Sequence, residues 1–275
     1  MNEFEALILG IVQGLTEYLP VSSSGHLVVA SSFMEVKDPD ENLTFAVLVH
    51  AATALSSLII FRVAIASIFR DLFKFQWNEG TKYVAMLALS AVPVVIVGLV
   101  FEAQLSAMFE GNIALVGAMW LVTGGLLLLT MYVKQHDQKP TFVNTLIIGF
   151  AQAIAVLPGI SRSGATIATG LLLKMEKADA AKFSFLVVIV PILGKAALDL
   201  KDLISGDPTT AGASQGLPPM VALIGFLAAF LTGLAACKAM LSIVQKGKLH
   251  YFSIYCFVLG IFAILIGTNI ISFGS

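Results

Sequence analysis

Residues 20–26 read PVSSSGH and residues 158–166 read PGISRSGAT; we call them the first turn and the second turn. Each interrupts an apolar region, 4–34 or 141–173, near its middle. Neither half of either region is long enough to cross a bilayer, which takes about 20 apolar residues. Irregular backbone at membrane depth is tolerated only where it is buried in protein or lines a wet cavity. The two turns therefore predict two re-entrant pairs of half-helices.

The composition places the whole chain in a membrane. Of 275 residues, 58% are hydrophobic and only 12% are charged, whereas a soluble domain carries about 25% charged residues. The net charge of −1 argues against a nucleic-acid surface. Beyond the re-entrant regions, we predict six membrane spans at 43–64, 82–101, 112–133, 183–203, 218–244 and 250–272.

The basic residues give this topology an orientation. If the first re-entrant pair enters from outside, eleven of the sixteen Lys and Arg residues lie in loops on the cytoplasmic side. Those loops are 62–82, 134–140, 174–182 and 246–248. The positive-inside rule therefore predicts a multi-pass membrane protein whose site opens to the outside.

The two halves of the chain also resemble each other. At an offset of 139 residues, five pairs of identical residues align: Gly10 with Gly149, Gln13 with Gln152, Ser22 with Ser161, Ser24 with Ser163 and Gly25 with Gly164. Each half is a re-entrant pair followed by three spans, so the second half must enter from the opposite side. We therefore predict an all-α polytopic protein, a single membrane domain over 1–275, with a first repeat at 1–137 and a second, inverted repeat at 138–275. In such repeats, binding sites form where discontinuous helices meet.

The turns carry the groups that bind an anion. Ser is a favoured residue at a helix N-terminus, where backbone N–H groups are unsatisfied and the helix dipole is positive. Two such termini converging would suit a phosphate, and the planar guanidinium of Arg162 could grip its oxygens. The alternative is that Ser and Gly only allow close helix packing while Arg162 extends toward the membrane surface.

The first turn also carries groups that can do chemistry. Glu17 lies four residues after Gln13, on the same helix face, and a carboxylate within the membrane is a candidate functional group. His26 follows the Ser run and is suited to proton transfer. The alternatives are that Glu17 only pairs with Arg162 and that His26 only packs. We expect His50 to hydrogen-bond a neighbouring helix.

The stretches QGLTEYLPVSSSGH and PGISRSGAT resemble the two signature motifs of the bacterial undecaprenyl-pyrophosphate phosphatases, also known as bacitracin-resistance membrane phosphatases. The resemblance covers essentially the whole chain, and it implies a location in the bacterial inner (plasma) membrane. It implies removal of the terminal phosphate from undecaprenyl pyrophosphate, which leaves the monophosphate carrier used to build peptidoglycan and other envelope polymers. It implies catalytic roles for Glu17, Ser23, His26 and Arg162. Around them it implies substrate-binding roles for Gln13, Ser22, Ser24, Gly25, Ser161, Ser163, Gly164 and Thr166.

The resemblance further implies a divalent cation, Mg²⁺ or Ca²⁺, with ligands that the sequence does not identify. Many family members have Glu where this chain has Gln13, so only one carboxylate remains for such an ion. A homodimer is compatible with the sequence. The alternative function is a transporter or flippase of an anionic polyprenyl phosphate lipid, since inverted repeats also build carriers. A carrier needs no nucleophile or base, so Glu17, Ser23 and His26 favour the hydrolase. Whether Ser23, His26 or water attacks phosphorus stays open.

Overall fold

The two turns separate short helices in the computed structural model. The structure describes residues 1–34, 39–101, 108, 112–134, 137–187, 189, 217–268 and 270. Within these ranges it is helical, and its only β-type contact is an isolated bridge between Gln138 and Met175.

The first six helices are α1 Glu3–Tyr18, α2 Ser23–Phe33, α3 Pro39–Ile60, α4 Arg62–Leu72, α5 Glu79–Val100 and α6 Ile113–Leu129, which a 3₁₀ turn extends over Thr130–Tyr132. The others are α7 Phe142–Ile154, α8 Arg162–Leu172, α9 Lys177–Val187, α10 Pro219–Gln245 and α11 His250–Gly267.

The predicted breaks are confirmed, because α1 ends before the first turn and α7 before the second. The helices on either side are short: α1 has 16 residues, α7 has 13, and α2 and α8 have 11 each. At 1.5 Å per residue, 13 residues extend about 20 Å, which is less than the roughly 30 Å of a hydrocarbon core. Each pair therefore has the dimensions of half-helices.

In the described part of the chain, four helices are long and apolar enough to span a membrane: α5, α6 with its 3₁₀ extension, α10 and α11. A fifth span forms only if Thr44–Ile60 and α4 count as one, and these meet at a bend of 76°. Within the predicted span 43–64, the first helix therefore ends at Ile60 and the chain bends before residue 64. Arg62 stabilises the break by donating a hydrogen bond from Nη1 to the carbonyl of Ile59 (2.9 Å). The predicted span 183–203 lies mostly outside the described residues.

Helix packing follows the 139-residue offset, which relates α5 to α10 and α6 to α11. In each half, the first half-helix packs on a span of the other half: α1 on α10, and α7 on α5. The related helices α6 and α11 pack on each other. The halves are thus interleaved, as an internal repeat predicts. Their opposite orientation in the membrane stays a prediction.

Glycines allow the half-helices to approach the spans. A methyl group at Gly10 would lie 2.5 Å from the carbonyl oxygen of Gly225, and one at Gly149 would lie 2.6 Å from that of Ser90. Small residues are typical of such contacts in membranes, where close van der Waals packing holds helices together. These contacts fix the depth at which each half-helix ends, and so the position of each turn.

Candidate active site

Helix α6 holds the two turns together. Its Trp120 donates from Nε1 to the carbonyl of Val21 (2.7 Å), and its Thr123 donates from Oγ1 to the carbonyl of Gly159 (3.1 Å). The turns also contact each other directly, because Ser163 Oγ donates to the carbonyl of Leu19 (3.2 Å). Two stretches far apart in sequence thereby form one site.

The turns share one hydrogen-bonding frame. Ser22 caps α2 by accepting a bond from the backbone N–H of Gly25 (3.2 Å), and Ser161 caps α8 by accepting one from Gly164 (3.0 Å). In both caps the serine hydroxyl lies 3.2 Å from the hydroxyl of the serine two residues later. Both helices therefore begin at the site, and their positive dipole ends favour an anion there.

Glu17 joins the two turns electrostatically. Its side chain is 6% exposed, and its Oε1 accepts a charge-assisted hydrogen bond from Nη2 of Arg162. Its Oε2 accepts bonds from Oγ of Ser23 (2.6 Å) and from Nε2 of Gln13 (2.9 Å). The amide oxygen of Gln13 is buried without a hydrogen-bond partner.

These groups open onto a cavity of about 160 Å³. Its lining residues are Glu17, Ser22, Ser23, Ser24, His50, Ala155, Ile160, Ser161, Arg162 and Ser163. The cavity thus presents serine hydroxyls, one guanidinium, one carboxylate and one imidazole, which is the environment that a phosphate group requires.

A larger cavity of about 270 Å³ lies elsewhere, beyond the C-terminal end of α6. Lys134 and Lys177 line it, together with Asp137 and Glu176. Its charges balance, and none of the predicted site residues contributes to its lining. Cavity volume alone therefore does not identify the site, whereas the convergence of the predicted site residues on the smaller cavity does.

His26 is not among the described residues that line the 160 Å³ cavity. Its Nδ1 bonds to the carbonyl of Ser22 (2.7 Å) and its Nε2 bonds to the hydroxyl of Tyr255 on α11 (2.9 Å). The imidazole also contacts the ring of Trp120 edge-on and stacks on that of Tyr255, at centroid distances of 5.0 and 5.8 Å. With both nitrogens bonded, His26 fastens the start of α2 to α6 and α11.

Four predicted substrate-binding residues do not line the cavity: Gln13, which bonds to Glu17, and Gly25, Gly164 and Thr166. A methyl group at Gly25 would lie 3.3 Å from Cα of Gly159, so this glycine lets the turns meet. Gly164 lies against Pro20 in the same way. Thr166 bonds to Ser184 on α9 (2.5 Å) and to the carbonyl of Arg162 (2.9 Å), which supports the start of α8.

His50 is the cavity residue whose role the sequence did not indicate. Its Nδ1 donates to the carbonyl of Ala46, one turn earlier in α3 (2.7 Å). The expected bond to a neighbouring helix is therefore wrong for this nitrogen. Its Nε2 lies 3.7 Å from Oε2 of Glu17 across the cavity. An ionisable residue within a membrane helix is itself the signal that could have identified it.

The described side chains that line the cavity do not supply enough ligands to hold a divalent cation by themselves. In the part of the chain that the structure describes, no group of three His, Cys, Asp or Glu side chains could hold a metal ion. The carboxylate of Glu17 is already bonded to Arg162, Ser23 and Gln13. A cation would need most of its oxygen ligands from a substrate, as Mg²⁺ bound to phosphates does.

Comparison with known proteins gives one consistent result. Residues 6–262 match the model of the family described as bacitracin resistance protein BacA. The chain is 50% identical to the undecaprenyl-diphosphatase of Christiangramia forsetii, over 96% of this chain and 98% of that protein. It is 48% identical to the undecaprenyl-diphosphatase of Bacteroides fragilis (97% and 98%) and 42% identical to that of Carboxydothermus hydrogenoformans (95% and 96%).

Proposed function

Because the chain belongs to the bacitracin resistance protein BacA family, we propose that it removes the terminal phosphate of undecaprenyl diphosphate and leaves undecaprenyl phosphate. Its relatives carry the name undecaprenyl-diphosphatase. The observation that carries the proposal is the contact of Ser23 and Arg162 with one carboxylate, Glu17, beside a cavity capped by two helix N-termini.

The terminal phosphate would bind between the two turns. Arg162 can grip two of its oxygens with a planar fork, and Ser22 and Ser161, the serines that cap α2 and α8, line the same cavity. These charges and dipoles are fixed before substrate arrives, so they stabilise the charge that spreads over the transferring phosphoryl group.

Ser23 is the proposed nucleophile, since its hydroxyl already donates to Glu17 at 2.6 Å. In the first step, an Oγ–P bond forms and the hydroxyl proton passes to Glu17. The bond from phosphorus to the bridging oxygen breaks, and its electron pair leaves with undecaprenyl phosphate. In the second step, water attacks the phosphoserine and Ser23 regains its proton from Glu17.

The direct test is phosphate release from a polyprenyl diphosphate by detergent-purified protein. We expect Ser23→Ala to lose turnover by about 10²–10⁴-fold, the usual range for one acid, base or nucleophile, while substrate binding persists. Ser31→Ala, on the same helix and outside the cavity lining, is the control and should match wild type. If wild type binds the lipid but releases no phosphate, a carrier function replaces this one.

We also propose that the site opens to the outer face of the plasma membrane. Supporting contacts gather the basic loops at one end of the bundle. Lys182 Nζ lies 5.4 Å from the ring centre of Tyr83, Lys134 and Lys177 line one cavity, and Glu176 donates from its backbone N–H to the carbonyl of Gln138 (3.0 Å). One end therefore carries the positive charge that favours the cytoplasm.

Thiol labelling of intact cells tests the orientation. The native Cys237 and Cys256 are buried, so wild type should not react with an impermeant reagent. Asn112→Cys, at the opposite end of α6 from the basic loops, should react, and Gln76→Cys, in an exposed loop after α4, should react only after lysis. The reverse pattern would reject the outward-facing site.

A further inference from the structure

A second histidine, His50, occupies the place in the cavity that the sequence motif suggested for His26. We infer that His50 accepts the proton of the water that hydrolyses the phosphoserine, a role that rests on the proposed function. It would be the general base of the second step, supplied by α3 rather than by either turn.

The hydrogen bonding of the ring determines which nitrogen is available. A backbone carbonyl can only accept, so the bond from His50 to Ala46 places the hydrogen on Nδ1. In the neutral ring, Nε2 then carries a lone pair. Nε2 lies 3.7 Å from Oε2 of Glu17, beyond hydrogen-bonding distance, and the side chain is 34% exposed on the cavity wall. The lone pair is therefore open to a water molecule in the cavity.

The other ionisable groups that line the cavity cannot take this proton. Arg162, from α8, remains charged in proteins and has no acceptor. Glu17, from α1, is bonded to Arg162, Ser23 and Gln13 and already holds the serine proton after the first step. Among the described lining residues, His50 is the remaining base.

His26 is not an alternative in this geometry. Its Nδ1 is bonded to Ser22 and its Nε2 to Tyr255, and its ring is packed between aromatic side chains away from the cavity lining. A general base must lie within hydrogen-bonding reach of the proton that it removes, directly or through one water. His50 meets that condition from the cavity wall.

The step balances in atoms and electrons. The oxygen of water forms a bond to phosphorus while one of its protons moves to Nε2 of His50. The bond between phosphorus and Ser23 Oγ breaks, and Oγ takes the proton that Glu17 received earlier. His50 is left protonated, with its positive charge 3.7 Å from the restored carboxylate. It then releases the proton to the departing phosphate or to solvent.

The test compares His50→Gln and His50→Ala with wild type, all purified in detergent and given a polyprenyl diphosphate. Loss of a general base should lower kcat by about 10²–10⁴-fold, with KM nearly unchanged because Arg162 and the caps remain. A phosphorylated Ser23 should accumulate and be detected by mass spectrometry of the protein. Added imidazole should restore part of the turnover of His50→Ala, which a purely structural role would not permit.

His250→Gln is the matched control, because this histidine lies at the start of α11 beside Tyr251, with the two rings tilted by 40°, and does not line the cavity; it should match wild type. If His50→Gln stays within about tenfold of wild type, or loses turnover with no phosphoserine and no imidazole rescue, the assignment is overturned. If wild type and His250→Gln both release no phosphate, the proposed function itself fails.

Discussion

The two turns are built on the same frame but carry different side chains. In both, a serine caps the following helix and accepts a bond from the glycine three residues later. At the next position, the 139-residue offset relates Ser23 to Arg162, and it relates Glu17 to Val156. The frame thus places a serine cap in each half, whereas the carboxylate of Glu17 and the proposed nucleophile Ser23 occur in the first half only. We therefore expect the two halves to share phosphate binding, and the first half to carry out the chemistry.

The backbone also differs between the turns. Ser22 has a φ of 66°, whereas its counterpart Ser161 has a φ of −73°. The second turn places its positive φ, 97°, on Gly159 instead. A side chain in the left-handed region costs about 1–2 kcal/mol, which glycine avoids. The first turn, which carries the proposed nucleophile Ser23, therefore has the strained serine, and such strain is common at functional sites.

The largest expected effect comes from removing the carboxylate that only the first half has. Glu17→Gln leaves Arg162 without its counter-ion and takes from Ser23 its proton acceptor. We expect kcat for phosphate release to fall by about 10³–10⁴-fold. Val156→Thr, a change of similar shape at the equivalent position, should have little effect. Equal losses in the two variants would mean that the chemistry is shared between the halves.

The next effect tests the charge that only the second half supplies. Arg162→Lys keeps the positive charge but loses the planar fork that grips two oxygens. Turnover should fall by about 10²–10³-fold, the range for one preorganised donor. Arg62→Lys, at the start of α4 outside the cavity lining, is the control. Near-normal kcat in Arg162→Lys would show that this position supplies charge alone.

Much of the fold was predictable because Pro, Gly and Ser interrupt apolar regions in a way that no continuous helix tolerates. The breaks at residues 20–26 and 158–166 appear where the sequence places them. The bend after Ile60 was not predictable, since the apolar run continues through Val63 and Ile65. It depends on the packing of α4 and on the hydrogen bond from Arg62 to Ile59, which hydropathy does not show.

The site was predictable in its residue types but not in its geometry. The contact between Glu17 and Arg162 was predictable, because opposite charges buried in a membrane protein are stabilised by pairing with each other. The sequence does not show that His50 lines the cavity whereas His26 does not, because the positions of both side chains depend on residues distant in sequence. Tyr255 binds His26 from α11, and α3 brings His50 opposite Glu17. Proximity to the first turn favours His26 as the base, and the His50 variants test whether α3 supplies that base instead.

A smaller effect tests whether the halves pack equivalently. Gly10→Ala and Gly149→Ala each place a methyl group against a backbone carbonyl of a neighbouring span. Overpacking of this kind costs about 1–3 kcal/mol, so both variants should unfold at lower temperature in detergent. Gly98→Ala is the matched control, because nothing lies within 4 Å of its added methyl group; it should be as stable as wild type or more stable, by up to about 1 kcal/mol. If only one of the two variants were destabilised, the two halves would not pack equivalently.

The smallest effect concerns the strained serine. Ser22→Ala loses the cap, at a cost of about 1 kcal/mol, and keeps a side chain at a φ of 66°. Ser22→Gly also loses the cap but removes the unfavourable contact of Cβ, which recovers about 1–2 kcal/mol. The Ser22→Gly variant should therefore be more stable than the Ser22→Ala variant by at least about 1 kcal/mol. This difference should appear as a higher thermal unfolding temperature for Ser22→Gly.

The same pair of substitutions at the second turn sharpens the comparison. Ser161 has an ordinary φ of −73°, so glycine relieves no strain there. Glycine at an N-cap still costs only a few tenths of a kcal/mol, against about 1 for alanine. The advantage of glycine over alanine should therefore be larger at Ser22 than at Ser161, by the cost of one left-handed side chain. An equal advantage at both positions would show that Ser22 is not strained, and that the turns differ in their side chains but not in their backbone energies.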